Sequence, residues 1–306
     1  MPIHKVLVTG SSGTIGTCLC EMLLARGFEV VGVDRKANKW NPDVNKRTVV
    51  GDLLVASTLT MLPRDVDIIV HLAANARVYD SVVDPTLAIE NINLMYNVLE
   101  FARKTGVKRF VFASSREVYG EQDAAYVAET MVDFSGAESP YTASKVAGEG
   151  MTHAYASCYG IAPVIVRFSN VYGRYDDSNR LVPLFVRKTL AGEPLTVYGA
   201  TKTYDFTFID DAAGAVVSII DRFDALAGQT FNIATGVGTS LLDVGKKIQI
   251  LLGVDRPITV KDNRSGELMR YVANISKARD AFGYTPKTNV DDGIKHAIAW
   301  QKSVNC

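Results

Sequence analysis

The most constraining feature of the chain is the stretch Val8-Thr9-Gly10-Ser11-Ser12-Gly13-Thr14-Ile15-Gly16. It joins an apolar run, "KVLVTG", to a segment from about Thr14 to Arg26 whose apolar residues recur at helical spacing. The run predicts a strand, and Gly27 marks the helix stop. Glycine permits a tight turn, close approach of backbone to a ligand, and close packing of helix on strand. A helix that opens directly on such a turn presents unpaired N–H groups, which suit phosphate. The chain therefore begins as a β-α unit built around an anion.

Further strands are predicted at "EVVGVD", "RTVVGD", "VDIIVHLA", "VKRFVFASS" and "APVIVRF". Helices are predicted around Ala56–Met61, over Asp84–Lys104 with a stop near Gly106, and over Ser139–Tyr159. Strands that are apolar throughout and alternate with helices form a parallel sheet covered on both faces. The fold class is α/β, a Rossmann-type doubly wound parallel sheet, over residues 1–170. After Asn170 the pattern loosens. A polar loop, "NVYGRYDDSNR", precedes a helix at "LVPLFVRKTLAG" and a short strand at "PLTVYG". A strand that runs into a helix, "DFTFIDDAAGAVVSIIDRF", and a helical region after Ser276 follow. Residues 171–306 are read mainly as a smaller C-terminal substrate-binding lobe, with some segments returning to the first domain. It should cover the carboxyl ends of the strands, where open α/β sheets bind ligands.

Composition narrows the functions. With 306 residues, 47% of them hydrophobic, the chain can bury a substantial core. Its formal net charge is zero, which excludes a general polyanion-binding role such as nucleic-acid binding. No apolar run approaches the roughly 20 residues that span a bilayer, and the chain runs into its first strand without a signal-peptide layout. Cys18, Cys20, Cys158 and Cys306 show neither metal-ligand spacing nor a disulfide framework. A reducing cytoplasm is the expected location.

Asp34 ends the second strand, where a carboxylate accepts from both ribose hydroxyls of an adenosine. It would repel a 2′-phosphate, which favours NAD over NADP; the neighbouring Arg35 weakens that preference. "YTASK" places Tyr141 and Lys145 on one helix face. A phenol is a poor base near neutrality. A nearby ammonium and the positive ring of NAD⁺ would lower its pKa, so that Tyr141 could take a proton from a sugar hydroxyl while a hydride leaves the same carbon. Lys145 would also hold the nicotinamide ribose, and Ser115 would steady the hydroxyl.

Taken together, these residues resemble the extended short-chain dehydrogenase/reductases, specifically the NAD-dependent sugar-nucleotide epimerase/dehydratase family. "TGSSGTIG", "YTASK" and "SSREVYG" carry the resemblance, with "GDL", "HLAA", Asn91 and "RFSNVYG". It implies that Gly10, Gly13, Thr14, Ile15 and Gly16 line the pyrophosphate, Asp34 and Arg35 the adenosine ribose, and Asp52 with Leu53 the adenine. It further implies that Leu72, Ala73 and Ala74 form the wall of the fourth strand, that Asn91 lies close to the cofactor, and that Ser169 sits at the nicotinamide end. For a UDP-linked sugar it implies Asn170 and Arg264 at the diphosphate and Val78 and Ser81 at the sugar. It also implies a homodimer built through the helices over Asp84–Lys104 and Ser139–Tyr159. One departure is Tyr204, where the family often carries an arginine; Lys202 is near but is not an equivalent fork.

Family membership implies oxidation of a sugar hydroxyl, usually at C4, by NAD⁺. C4 epimerisation of a UDP-hexose or UDP-hexuronate is the reading adopted. UDP-glucuronate decarboxylation and nucleotide-sugar dehydration are the alternatives, and a non-enzymatic dinucleotide-binding regulator is disfavoured by retention of Ser115, Tyr141 and Lys145. "SSREVYG" bears on the choice. Glu117 matches the glutamate of dehydratases and decarboxylases, whereas Arg116 stands where dehydratases carry a proton-donating aspartic acid. A guanidinium does not give up its proton, so dehydration loses ground. Arg116 is expected to point to solvent or to pair with a surface acid; the competing reading has it facing inward, on a C6 carboxylate.

Overall fold

The computed structural model describes residues 2–199 and 201–304; Cys306 lies outside them. The strands are β1 (Lys5–Thr9), β2 (Glu29–Asp34), β3 (Thr48–Val50), β4 (Ile68–His71), β5 (Arg109–Ser115), β6 (Ala162–Phe168), β7 (Asn170–Tyr172), β8 (Thr196–Tyr198), β9 (Thr203–Phe208), β10 (Thr230–Ile233), β11 (Gly238–Ser240), β12 (Thr259–Lys261) and β13 (Arg270–Tyr271). The helices are α1 (Thr14–Ala25), α2 (Pro42–Lys46), α3 (Ala56–Thr60), α4 (Val78–Val83), α5 (Thr86–Thr105), α6 (Pro140–Tyr159), α7 (Leu181–Leu190), α8 (Ile209–Asp221), α9 (Phe223–Leu226), α10 (Leu241–Leu251), α11 (Ser276–Phe282) and α12 (Val290–Val304).

Seven strands form one parallel sheet in the order β10-β6-β5-β4-β1-β2-β3. Alternate residues of each strand feed opposite faces. Val6, Val8, Ile68, Val70, Val111 and Val166 join α1 and α8 in one core. Leu7, Val33, Ile69, Phe110, Phe112 and Ile165 join α5 and α6 in the other. Both faces are dry, which is why the strands read as continuous apolar runs. Strand order reverses between β1 and β4, and the register pairs Thr9 with both Val33 and His71. Gly10, Asp34 and Leu72 therefore stand in a row at the carboxyl edge. Strand β5 runs further, since His71 pairs with Phe112 and Ser115 lies three residues beyond.

One expectation is met and one needs correcting. The helix expected over Asp84–Lys104 is α5, set off from the short α4 before it. Pro85 has no N–H and disfavours helical backbone at the residue before it, and Asp84 sits at φ −130°, ψ 94°. The Asp84 carboxylate then accepts from the Thr86 N–H at 3.0 Å and starts α5. The polar loop after Phe168 contains β7, which pairs with β9. In addition, α10 and β10 are elements the sequence reading passed over. Strand β10 completes the large sheet beside β6, and α8 packs on α1. The chain thus crosses into the second half and returns. The rest of that half adds a sheet of β11, β9, β13 and β7 and a β12-β8 pair above the carboxyl edge. No described helix is long and apolar enough to cross a membrane.

Candidate active site

A cavity of about 580 Å³ opens at the carboxyl edge, between the large sheet and the second half. Gly10, Gly13, Thr14, Ile15, Gly16, Asp34, Arg35, Leu53, Leu72, Ala73 and Ala74 line one end. Gly10 has φ +74°, and a Cβ there would stand 2.9 Å from the Ala73 nitrogen. A Cβ on Gly16 would stand 2.0 Å from the Gly10 carbonyl oxygen, so α1 can approach its strand only without one. No side chain caps the first turn of α1, and no acidic residue lies in it. That end of the cavity is thus a cradle of backbone donors. The Thr9 hydroxyl accepts from the Ala73 N–H (3.2 Å) and pairs with His71 Nδ1 (2.8 Å), which fixes the β4 wall. The Asp34 carboxylate accepts from Ser12 N–H and Lys36 N–H at 3.1 and 2.9 Å. Arg35 is turned aside: its Nη2 donates to Asn75 Oδ1 at 2.9 Å, and its Nη1 is 3.6 Å from Glu90. These features fit a dinucleotide with free ribose hydroxyls.

At the other end stand Ser115, Tyr141 and Lys145, with Ser169, Asn170 and Val78. Ser139 caps α6 by accepting from the Thr142 N–H, and Pro140 takes the first helical position, where no donor is needed. This puts Tyr141 in the first turn and Lys145 one turn on. Burial pushes the Tyr141 phenol above its ordinary value. Its hydrogen bond with Ser115 and the charge of Arg180 pull the other way, and Glu117 adds to the rise. Lys145 is also buried, and burial holds it down to about 8, against the pull of Glu149. Its Nζ donates to the Ala113 carbonyl at 2.8 Å and lies 5.8 Å from the Tyr141 ring centroid. The expected lowering by the lysine is corrected here: the chain's own groups leave the phenol protonated, because desolvation outweighs them. Ser169 donates to the Asp205 carbonyl.

Arg116 does not point to solvent, which corrects the plainer expectation. It is 7% exposed and Glu117 is 3% exposed; both line the cavity. Arg116 Nη2 lies 2.9 Å from Glu117 Oε1. The guanidinium stacks over the Tyr204 ring, with Cζ 3.9 Å from its centroid, and Tyr271 lies 5.7 Å away. Burial is the largest influence on the Arg116 charge and opposes it, but Glu117, Tyr204 and Tyr271 together raise the pKa. Burial pushes the Glu117 carboxyl up while Arg116 draws it down; at 2.9 Å the geometry supports the ionised pair. Tyr204, whose phenol donates to the Leu268 carbonyl, thus serves as a platform for Arg116. Lys202 is fully buried and paired with Glu267 at 2.5 Å. Arg264 lies over the rings of Tyr198 (3.8 Å) and Tyr79 (4.8 Å), at the cavity wall.

Three expected residues stand outside the lining. Asp52 accepts from the Leu54 N–H and shapes its own turn. Asn91 is buried behind the wall, bonded to Asn75 and Ser144. Ser81 does not border the cavity: its hydroxyl donates to the Val78 carbonyl and accepts from the Tyr141 N–H at 3.1 Å, so it holds the start of α6. Sequence reasoning missed a buried network behind the site. Ser114 donates to Glu149 Oε1 (2.5 Å), and Arg167 grips both Glu149 oxygens at 2.9 and 2.7 Å. Arg167 also donates to the Tyr119 phenol, which donates to Asn232 on β10. Glu149 lies one turn beyond Lys145 on α6, a spacing visible in the sequence; the partners from other strands were not.

The model of the NAD dependent epimerase/dehydratase family matches residues 6–234. A Bacillus subtilis (strain 168) protein described as an uncharacterized UDP-glucose epimerase, YtcB, is 32% identical over 98% of both chains. The UDP-glucose 4-epimerase of Mycolicibacterium smegmatis is 32% identical over 96% of this chain and 97% of its own. The solved UDP-glucuronic acid 4-epimerase of Bacillus cereus, in complex with UDP-glucuronic acid and NAD, has a TM-score of 0.89 at 29% identity, covering 98% of this chain and 99% of that one.

Proposed function

The chain belongs to the NAD dependent epimerase/dehydratase family, and from that membership we propose that it epimerises a UDP-linked hexose or hexuronate at C4. The observation that carries the reading is the convergence of Ser115, Tyr141 and Lys145 at one end of a cavity whose other end is a glycine-lined cradle. NAD supplies the acceptor of the sugar hydride and then its donor. Tyr141, ionised once the positive charge of bound NAD⁺ is added, would receive the proton of the sugar hydroxyl and return it. Ser115 keeps that hydroxyl in line through its bond to the phenol. Lys145, held near the midpoint of its titration just above neutrality, carries positive charge to the phenol's side of the helix.

Asp34 would hold the adenosine ribose, the α1 start the pyrophosphate, and Asn170 and Arg264 the sugar-nucleotide diphosphate. The Arg116–Glu117 pair favours epimerisation over dehydration. Arg116 cannot protonate a leaving hydroxyl, and Glu117 is engaged by it. The unpaired thiols of Cys18, Cys20 and Cys158 support a cytoplasmic location. A homodimer through α5 and α6 completes the proposal. The test is incubation with UDP-glucose and UDP-glucuronate and identification of products by mass and NMR. A C4 epimer of unchanged mass is expected. Loss of water or of carbon dioxide from the sugar would overturn the reading.

A further inference from the structure

The hydride chemistry leaves the Arg116–Glu117 pair without a task, yet the pair borders the reacting centre. Arg116 directly follows Ser115, which lines the cavity with Tyr141. Each partner keeps one buried polar atom with no hydrogen bond: Nη1 of Arg116 and Oε2 of Glu117. Orphan atoms on buried charged groups are costly, and a group that satisfied both would be held strongly. The guanidinium is held on two sides, over the Tyr204 ring and against Glu117 Oε1. Arg116 and Tyr204 are also the positions at which the sequence departs from the pattern it resembles, and they touch each other.

The charges around the pair decide what can bind. The cations acting on Glu117 are Arg116 and Lys202, and the carboxylates acting on it are Glu267 and Glu121. Arg116 is matched by Glu117, and Lys202 by Glu267. A carboxylate brought against the pair meets two cations that already have carboxylate partners, and it faces the second oxygen of Glu117; Lys145 and Arg180 stand elsewhere on the cavity lining. An uncharged hydroxyl meets one free donor and one free acceptor.

We propose that the Arg116–Glu117 pair is a specificity device that binds an uncharged hydroxyl on a sugar carbon next to the reacting one, accepting from Arg116 and donating to Glu117, and so selects neutral hexoses over hexuronates. The inference rests on the 4-epimerase reading and narrows its substrate class. It also replaces the idea that Arg116 awaits a C6 carboxylate.

The test compares kcat/KM for UDP-glucose and UDP-glucuronate on the NAD-loaded protein. Wild type should favour UDP-glucose at least thirtyfold. Glu117→Gln keeps an acceptor but removes the charge that matches Arg116, so the preference should fall at least tenfold, chiefly through a lower KM for UDP-glucuronate. Equal or better turnover of UDP-glucuronate by wild type overturns the inference while leaving the epimerase reading intact, as does an unchanged ratio in a folded Glu117→Gln protein. The wild-type ratio needs no variant to fold. If neither sugar is turned over, the epimerase reading fails instead. Calorimetric titration with the two nucleotide sugars then still judges the pair: tighter or equal binding of UDP-glucuronate overturns it.

Discussion

Tyr141 is buried and its phenol is held protonated by desolvation, so its work as a base depends on charge brought to it. Tyr141→Phe keeps the ring in place and removes the proton acceptor. Turnover should fall about a thousandfold, within the range for loss of a general base. Bound NAD, read by chromatography of the denatured protein, should be unchanged. Substantial residual turnover would remove Tyr141 from this role. Lys145 gives a second residue-scale expectation, this time in stability. Its folded value is about 8 against an ordinary 10.5. Between those values the unfolded chain holds the extra proton, so this group makes stability rise with pH from 8 to 10.5; below 8 its full cost remains. Buried Cys18 and Cys20, whose values are raised, act in the opposite sense above pH 9. Comparison of wild type with Lys145→Met isolates the lysine. The stability difference between them should shift by on the order of 3 kcal/mol in favour of wild type from pH 8 to 10.5, measured by denaturant unfolding. A constant difference would contradict the burial of a titrating amine. What was legible at this scale was short-range. Tyr141 and Lys145 share a face by spacing alone. The contact of Arg116 with Tyr204 joins residues 88 positions apart, from just past the end of β5 and from β9 of the second sheet, and no local pattern announces it. Ser81, Asn91 and Asp52 show the converse: polar residues in the right neighbourhood whose hydrogen bonds are spent on backbone and, for Asn91, on Ser144.

The start of α6 is where local structure becomes function. Two serines from different parts of the chain satisfy its first N–H groups: Ser139 that of Thr142, and Ser81 that of Tyr141. Each should be worth about 1 kcal/mol, as helix caps usually are. Their consequences should nevertheless differ. Ser81→Ala frees the backbone of the residue that bears the phenol, and kcat should drop several-fold with KM nearly unchanged. Ser139→Ala should cost similar stability with a smaller effect on kcat. Thermal melts and steady-state kinetics on the pair would show it; equal effects on kcat would mean that Ser81 only supports the fold. Ser139 with Pro140 was readable as a helix start, because capping residues and the first proline are local signals. Ser81 was not, since it reaches α6 from α4. The helix boundary at Pro85 is equally local, and the expected start at Asp84 falls within two residues of the observed one. Strand β10 was missed for a different reason: four residues carry too little periodicity to separate a strand from a turn.

At the scale of the molecule, the sheet is completed by a strand from the second half, and the catalytic end of β5 is tied through Glu149, Arg167 and Tyr119 to Asn232 on that strand. The two halves are thus joined around the cavity, in keeping with the expectation that segments after residue 170 return to the first sheet. One face of the molecule leaves large apolar side chains exposed. Helices α5 and α6 pack against each other on the outside of the sheet. On α5, Ile89 is 58% exposed and Tyr96 is 49% exposed, seven residues apart and so on one face. Tyr159 at the end of α6 is exposed as well. A second copy laid across this pair would cover them in a four-helix contact, the self-complementary surface a two-fold dimer requires. Light scattering at micromolar concentration should give twice the 33.3 kDa chain mass. Charges placed on that face by Ile89→Glu with Tyr96→Glu should give monomers that still bind NAD, since neither side chain lines the cavity. A monomeric wild type would leave the apolar face without this explanation, and a dimer untouched by both substitutions would move the contact elsewhere on the molecule.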